Sequence, residues 1–181
     1  MVPVLETERL ILQPLVLADA VAVQRLFPVW GVVRLLAPNF SWPYPEDGAL
    51  TYYRNVALPA VERGDEWHWT LRLKSQPEEV VGAVVLFRSE GNNRGFWIGE
   101  AWRGRGLMTE AAGRVTAYWF EELGMPVMRV KKAAENVASR GISVREGMRL
   151  VGVGLDDFIG GRFVSEVWEI TAQEWFARHR R

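Results

Sequence analysis

Between Ile98 and Leu107 the chain changes its hydrophobic period, and this constrains the fold more than any other feature. Before the change, residues 66–74 (EWHWTLRLK) alternate strictly, with Trp67, Trp69, Leu71 and Leu73 on one face, as in a half-buried strand. Residues 79–87 (EVVGAVVLF) and 94–98 (RGFWI) have the same strand character, and turn-like separators at 75–77 and 90–93 make the three an antiparallel meander. After the change, Leu107, Ala111, Val115 and Tyr118-Trp119 form a helical stripe that Gly124 and Pro126 end. A strand at 127–130, a helix at 136–145 stopped by Gly147, strands at 150–154 and 162–170, and a helix from Thr171 follow. Upstream, the chain reads as a strand at 7–13, a helix at 17–27, a proline-rich loop at 38–45 and a helix from about 45–47 to 63. The class is α+β, and one domain over 1–181 is expected.

The junction itself runs Ile98-Gly99-Glu100-Ala101-Trp102-Arg103-Gly104-Arg105-Gly106-Leu107-Met108-Thr109-Glu110-Ala111. A strand ends, two glycines alternate with two arginines, and a helix starts at once. Gly104 and Gly106 allow close backbone approach, and unpaired N–H groups at the helix start with Arg103 and Arg105 nearby suit a phosphate or pyrophosphate. A tight turn with solvated arginines is the plainer reading of the same residues. Gly99 and Gly104 have P-loop spacing, but Arg105-Gly106 stands where Lys-Ser/Thr is needed, and no G-x-G-x-x-G is present.

Composition narrows the chemistry. The 22 basic and 22 acidic side chains balance to a net charge of zero, which argues against a protein held to nucleic acid by phosphate contacts. With no cysteine, disulfides, thiolate metal sites and cysteine nucleophiles are excluded, and two histidines make a histidine-rich metal centre unexpected. The N-terminus lacks the pattern of a signal peptide and no apolar run spans a bilayer, so a cytoplasmic location is expected.

The run from Arg103 to Ala111 resembles the acetyl-CoA pyrophosphate loop of the GNAT N-acetyltransferases, in the variant of the ribosomal-protein-alanine acetyltransferase branch. Thr7-Glu8-Arg9-Leu10-Ile11-Leu12 is similar to that branch's first strand, and Asn136-x-x-Ser139 with Glu146-Gly147-Met148 to its second cofactor helix. The resemblance implies a GNAT-type fold: a mixed, mostly antiparallel sheet of about six to seven strands, flanked by helices and splayed in the middle for acetyl-CoA. It implies that Trp97 and Ile98 pair with the pantetheine arm and that main-chain groups of Arg103, Gly104, Arg105, Gly106, Leu107, Met108 and Thr109 bind the pyrophosphate. Asn136 and Ser139 would complete the cofactor site, with Arg140 or Arg145 near the 3′-phosphate.

The implied reaction is direct transfer of acetyl to a primary amine, without a metal. Ser139 or Ser143, the latter at a position where relatives carry a tyrosine, would protonate the departing thiolate. Asn93 replaces a glutamate found on this strand in many relatives, and Glu100 is the remaining carboxylate near the loop, although a surface ion pair suits it equally. Without an obvious base, an α-amine of pKa about 7.7–8.0 is favoured over a lysine of about 10.4, so a protein or peptide N-terminus or another weakly basic amine is expected. Trp30 and Trp42, in the proline-rich region, and His68 are candidate acceptor-site residues. A CoA-binding sensor or scaffold of the same fold is the alternative reading, and the resemblance allows a homodimer.

Overall fold

A computed structural model describes residues 1–179. Strands β1 (Leu5–Glu6) and β2 (Leu10–Pro14) lead into helices α1 (Ala20–Leu26) and α2 (Trp30–Val33). Helix α3 (Gly48–Tyr52) runs through a π-helical turn into α4 (Leu58–Arg63). The meander follows as β3 (Glu66–Leu73), β4 (Gln76–Phe87) and β5 (Arg94–Ile98), then α5 (Leu107–Ala117), which a π-helical turn extends to Glu122. The chain finishes β6 (Val127–Ala133), α6 (Val137–Glu146), β7 (Arg149–Phe158), β8 (Gly161–Thr171) and α7 (Ala172–His179).

Among the described residues the strands form a five-stranded antiparallel sheet, β1-β2-β3-β4-β5, and a three-stranded one, β6-β8-β7. The expected antiparallel meander is β3-β4-β5, and the expected splay is seen in the separation of β5 from β6, with eight strands in two sheets where about six to seven were expected. Boundaries differ in places: β2 starts at Leu10, β4 starts at Gln76 within the expected turn, β6 continues to Ala133 and β7 to Phe158, while β1 and the short α2 carry no periodic signal long enough to read.

The alternation of β3 sorts its side chains. Trp67, Trp69 and Leu71 face α5, where Trp67 meets the Trp119 ring edge-on at 6.3 Å and Trp69 meets Tyr118 at 5.6 Å. Buried Leu107, Ala111, Ala112 and Val115 of α5 complete that core. On the opposite face His68 and Thr70 lie under the N-terminal helices, where Phe27 packs against Trp97 at 5.3 Å. Several tryptophans are thus explained as packing. The segment after α2 bonds to the β7–β8 turn, Ile159 N to Leu36 O at 3.0 Å and Gly160 N to Arg34 O at 2.8 Å. Those bonds roof the space between the two sheets. No helix of the described residues is long and apolar enough to cross a membrane.

Candidate functional site

β5 and β6 belong to different sheets and do not pair as strands, and hydrogen bonds link them only near the start of β5. There Asn93 N donates to Arg129 O at 2.7 Å, Arg129 N donates to Asn93 Oδ1 at 2.7 Å, and Lys131 N donates to Asn92 Oδ1 at 3.1 Å. The Asn93 amide also donates to the carbonyls of Phe87, at 3.2 Å, and Ser89, at 2.5 Å. A buried asparagine amide thus stands in for the missing ladder, with its oxygen and nitrogen both satisfied. Its commitment to the backbone explains why it is a latch here and not part of the chemistry. Past the latch the strands diverge into a V.

At the open side of the V lies the glycine–arginine loop. Gly104 and Gly106 have φ of 73° and 75°, left-handed values that an L side chain adopts only with strain. A Cβ on Gly104 would meet nothing within 4 Å, so the outer surface of the loop is bare backbone. Gly106 caps α5, and the first N–H to find a helical acceptor is that of Glu110, on Gly106 O at 3.1 Å. The N–H groups of Leu107, Met108 and Thr109 are left at the positive helix end, where an anion is stabilised. The Leu107 and Met108 side chains are buried in the core, leaving only their main chain for a ligand. Arg103 donates to Gly31 O at 2.8 Å, which draws its guanidinium towards α2. These residues fit the phosphate-bearing part of acetyl-CoA.

A clamp that the sequence did not reveal holds the loop from behind. Glu110 accepts from the Thr7 hydroxyl, from Arg9 N at 2.8 Å and from Arg9 Nε at 2.8 Å, while Arg9 Nη1 donates to Arg105 O at 2.9 Å. The Arg105 carbonyl is thereby pulled to the rear of the loop. Burial pushes the Glu110 pKa up, but the bonds from Thr7 and Arg9 and the Arg9 charge outweigh it and hold the carboxyl below its usual value. The clamp therefore stands at neutral pH and is lost as pH falls through that lowered pKa. Glu110→Ala is expected to weaken CoA binding about tenfold, or about 1.4 kcal/mol, measured calorimetrically. Unchanged affinity would show that the loop holds its shape without the clamp.

The V opens into a cavity of about 790 Å3. Trp97, Lys132, Asn136 and Ser139 line it from the strands and α6, and Phe40, Tyr44, Tyr52 and His68 from the acceptor side. Asn136 caps α6 by accepting from Ser139 N at 3.1 Å. Burial, with Glu66 and Tyr44 nearby in the case of Tyr52, pushes Tyr44 and Tyr52 up to about 12, so both are protonated donors at neutral pH.

Several expected site residues lie elsewhere. Ser143 is wholly buried outside the lining, bonded to Lys132 Nζ at 2.5 Å. Glu100 is exposed and packs over Gly31, away from the cavity. Trp30 and Trp42 are exposed and rest on each other at 5.5 Å, because the loop turns Phe40 and Tyr44 inward against Phe27 instead. Arg140 is paired with Glu166 at 2.9 Å. Only His68 of the three acceptor candidates reaches the cavity. Its Nε2 is 2.5 Å from Glu66 Oε2, and its Nδ1 has no hydrogen-bond partner among the described residues. Glu66 and Lys132 are the residues that sequence reading missed; for Glu66 the signal was present, since positions two apart on a strand share a face.

Among the described residues no group of three or more His, Cys, Asp and Glu is placed to hold a metal ion. No curated protein matches the chain. Solved structures do match its fold. RimL, a ribosomal L7/L12 α-N-protein acetyltransferase in complex with coenzyme A, is 17% identical with a TM-score of 0.77, covering 94% of this chain and 97% of that one. A ribosomal-protein-S5-alanine acetyltransferase from Vibrio fischeri is 12% identical with a TM-score of 0.80, covering 96% and 98%. A GNAT-family acetyltransferase from Bacillus anthracis is 18% identical with a TM-score of 0.77, covering 95% and 100%. The acetyltransferase (GNAT) domain family matches residues 9–149, a stretch that contains the loop, the capped helix and the clamp residues Arg9, Arg105 and Glu110, and the chain belongs to that family as an acetyl-CoA-dependent N-acetyltransferase.

Proposed function

We propose that the acceptor is the α-amine of a protein or peptide N-terminus and that His68 removes its proton. The observation that carries this reading is the pairing of His68, which lines the cavity, with Glu66 behind it. With Nε2–H donating to the Glu66 carboxylate, Nδ1 carries the free lone pair, and the carboxylate stabilises the imidazolium formed when a proton arrives. An α-amine of pKa about 7.7–8.0 gives up its proton far more readily than a lysine ammonium of about 10.4. A histidine base therefore selects for the weaker amine. Phe40, Tyr44, Tyr52 and Trp97 offer an apolar wall for the first side chain of such a substrate. The names of RimL and the S5-alanine enzyme, both of similar fold, support the same acceptor class.

The main-chain N–H groups at the start of α5 bind the pyrophosphate in this reading, and the unpaired edge of β5 at Trp97 and Ile98 pairs with the pantetheine amides. Acetyl-CoA supplies an activated acyl group whose thioester needs no prior activation by the protein. The chain's own residues align the amine, take its proton at His68 Nδ1 and exclude water behind the aromatic wall. A single domain, a cytoplasmic location and a homodimer complete the proposal; exposed Val151, Val153 and Leu155 on β7 offer the apolar surface for pairing.

A thiol-release assay with acetyl-CoA, N-terminal peptides, lysine side-chain peptides and small amines tests the acceptor. N-terminal peptides are expected to give the highest kcat/KM, and His68→Ala to lower it about 100-fold while sparing CoA affinity. Preference for a lysine side chain, or an undiminished His68→Ala enzyme, would overturn the assignment.

A further inference from the structure

The alternation of β6 places Met128, Val130 and Lys132 inward, all buried, and Arg129 and Lys131 outward. The two outer cations have carboxylate partners, Glu169 at 2.7 Å and Asp156 at 2.7 Å. Lys132 has neutral ones instead: its Nζ donates to Ser139 O at 3.0 Å and lies 2.5 Å from Ser143 Oγ. Four charged groups face it, Arg94 from β5, Glu146 and Arg140 from α6, and Glu166 from β8. They are already paired among themselves, Arg94 with Glu146 at 2.7 Å and Arg140 with Glu166 at 2.9 Å. A lysine with no carboxylate of its own thus sits on an apolar strand face, on the cavity wall beside Ser139. Hydrophobic packing would favour an apolar residue there.

We infer that Lys132 donates the proton to the thiolate that leaves the acyl donor, with Ser139 O and Ser143 Oγ holding its ammonium in place. The inference rests on acetyl transfer at this site but not on the choice of acceptor. In the step, the amine nitrogen bonds to the acyl carbon and the carbon–sulfur bond breaks with its electron pair on sulfur. The Lys132 ammonium protonates that sulfur, and the neutral amine left behind regains a proton from solvent. Burial and Arg94, opposed by Glu146 and Glu166 and aided by Arg140, push the Lys132 pKa down to about 7. Transfer to a thiolate whose thiol titrates near the cysteine value of about 8.5 is then downhill. A serine hydroxyl is a far weaker acid, and Ser143 does not reach the cavity.

The test compares wild type with Lys132→Met and Lys132→Arg. A group that must carry its proton loses activity as pH rises, so wild-type kcat is expected to fall above about pH 7. Lys132→Met should lower kcat about 100-fold, abolish that alkaline limb and leave CoA affinity within about threefold. Lys132→Arg should not rescue it, because guanidinium keeps the charge but does not give up a proton. Rescue by arginine, an alkaline limb retained in Lys132→Met, or parallel loss of CoA affinity would each overturn the inference. Carbon-13 NMR of the lysine Cε resonances supplies a readout without turnover. The signal missing in Lys132→Met should titrate at a different midpoint with CoA than with desulfo-CoA, and equal midpoints would place the sulfur elsewhere. If wild type releases no thiol with any acceptor, acetyl transfer at this site fails, while the NMR comparison still decides whether Lys132 meets the sulfur.

Discussion

Gly106→Trp is expected to abolish CoA binding, with a loss of at least about 100-fold in affinity by calorimetry. Two effects combine. The backbone at φ 75° costs an L residue about 1–2 kcal/mol, and a side chain there would start 3.5 Å from Arg9 Nη2, so an indole would displace the arginine that holds the loop from behind. The strain alone lowers Tm by about 2–8 °C in a chain of this size, so the folded protein remains available for titration. Gly106→Ala separates the terms, since it carries the strain without the bulk. Undiminished affinity in the tryptophan variant would mean that the loop is a turn and the pyrophosphate binds elsewhere.

The largest stability effect is expected beneath the site. Arg94, whose side chain is fully buried, makes a two-pronged pair with Glu146 at 2.7 and 2.8 Å and also bonds Thr116. That cluster joins β5 to both cofactor helices, α5 through Thr116 and α6 through Glu146. Glu146→Ala would strand a guanidinium with no route to water, a change that costs about 3–5 kcal/mol and lowers Tm by roughly 6–20 °C. Replacing both partners by apolar residues, as in Arg94→Met with Glu146→Leu, should recover most of the loss because no charge is left unpaired. Calorimetric unfolding of the three proteins decides it. A loss below about 1 kcal/mol for Glu146→Ala would show that water reaches Arg94.

The meander and the helix after it were legible because their periods are unambiguous, whereas the glycine–arginine junction alone also fits a tight turn and became specific through the resemblance of Arg103 to Ala111 to a known cofactor loop. What stayed hidden depends on distance in the chain. Glu110 meets Thr7 and Arg9 across about a hundred residues, so the two family-like segments at 7–12 and 103–111 gave no sign that they touch. The proline-rich region pointed to Trp30 and Trp42 as acceptor-site residues, but proline content does not say which aromatic turns inward, and Phe40 and Tyr44 do. Lys132 lies beyond the strand legible at 127–130, and only with β6 continued to Ala133 does the alternation put it inward, where a lysine contradicts the pattern. Local rules fail where function imposes a different requirement.

The latch at Asn93 has a consequence for solubility. A sheet divided in its middle has two extra unpaired edges, and such edges ordinarily recruit strands from other molecules. Here the edges of β5 and β6 face each other across a gap closed at one end by an amide and roofed by the Leu36–Ile159 and Arg34–Gly160 bonds. A foreign strand has no lateral approach, whereas a slender arm carrying its own amides can enter from the open end. The enzyme thus keeps a template for β-pairing that is shielded from aggregation and available to its co-substrate.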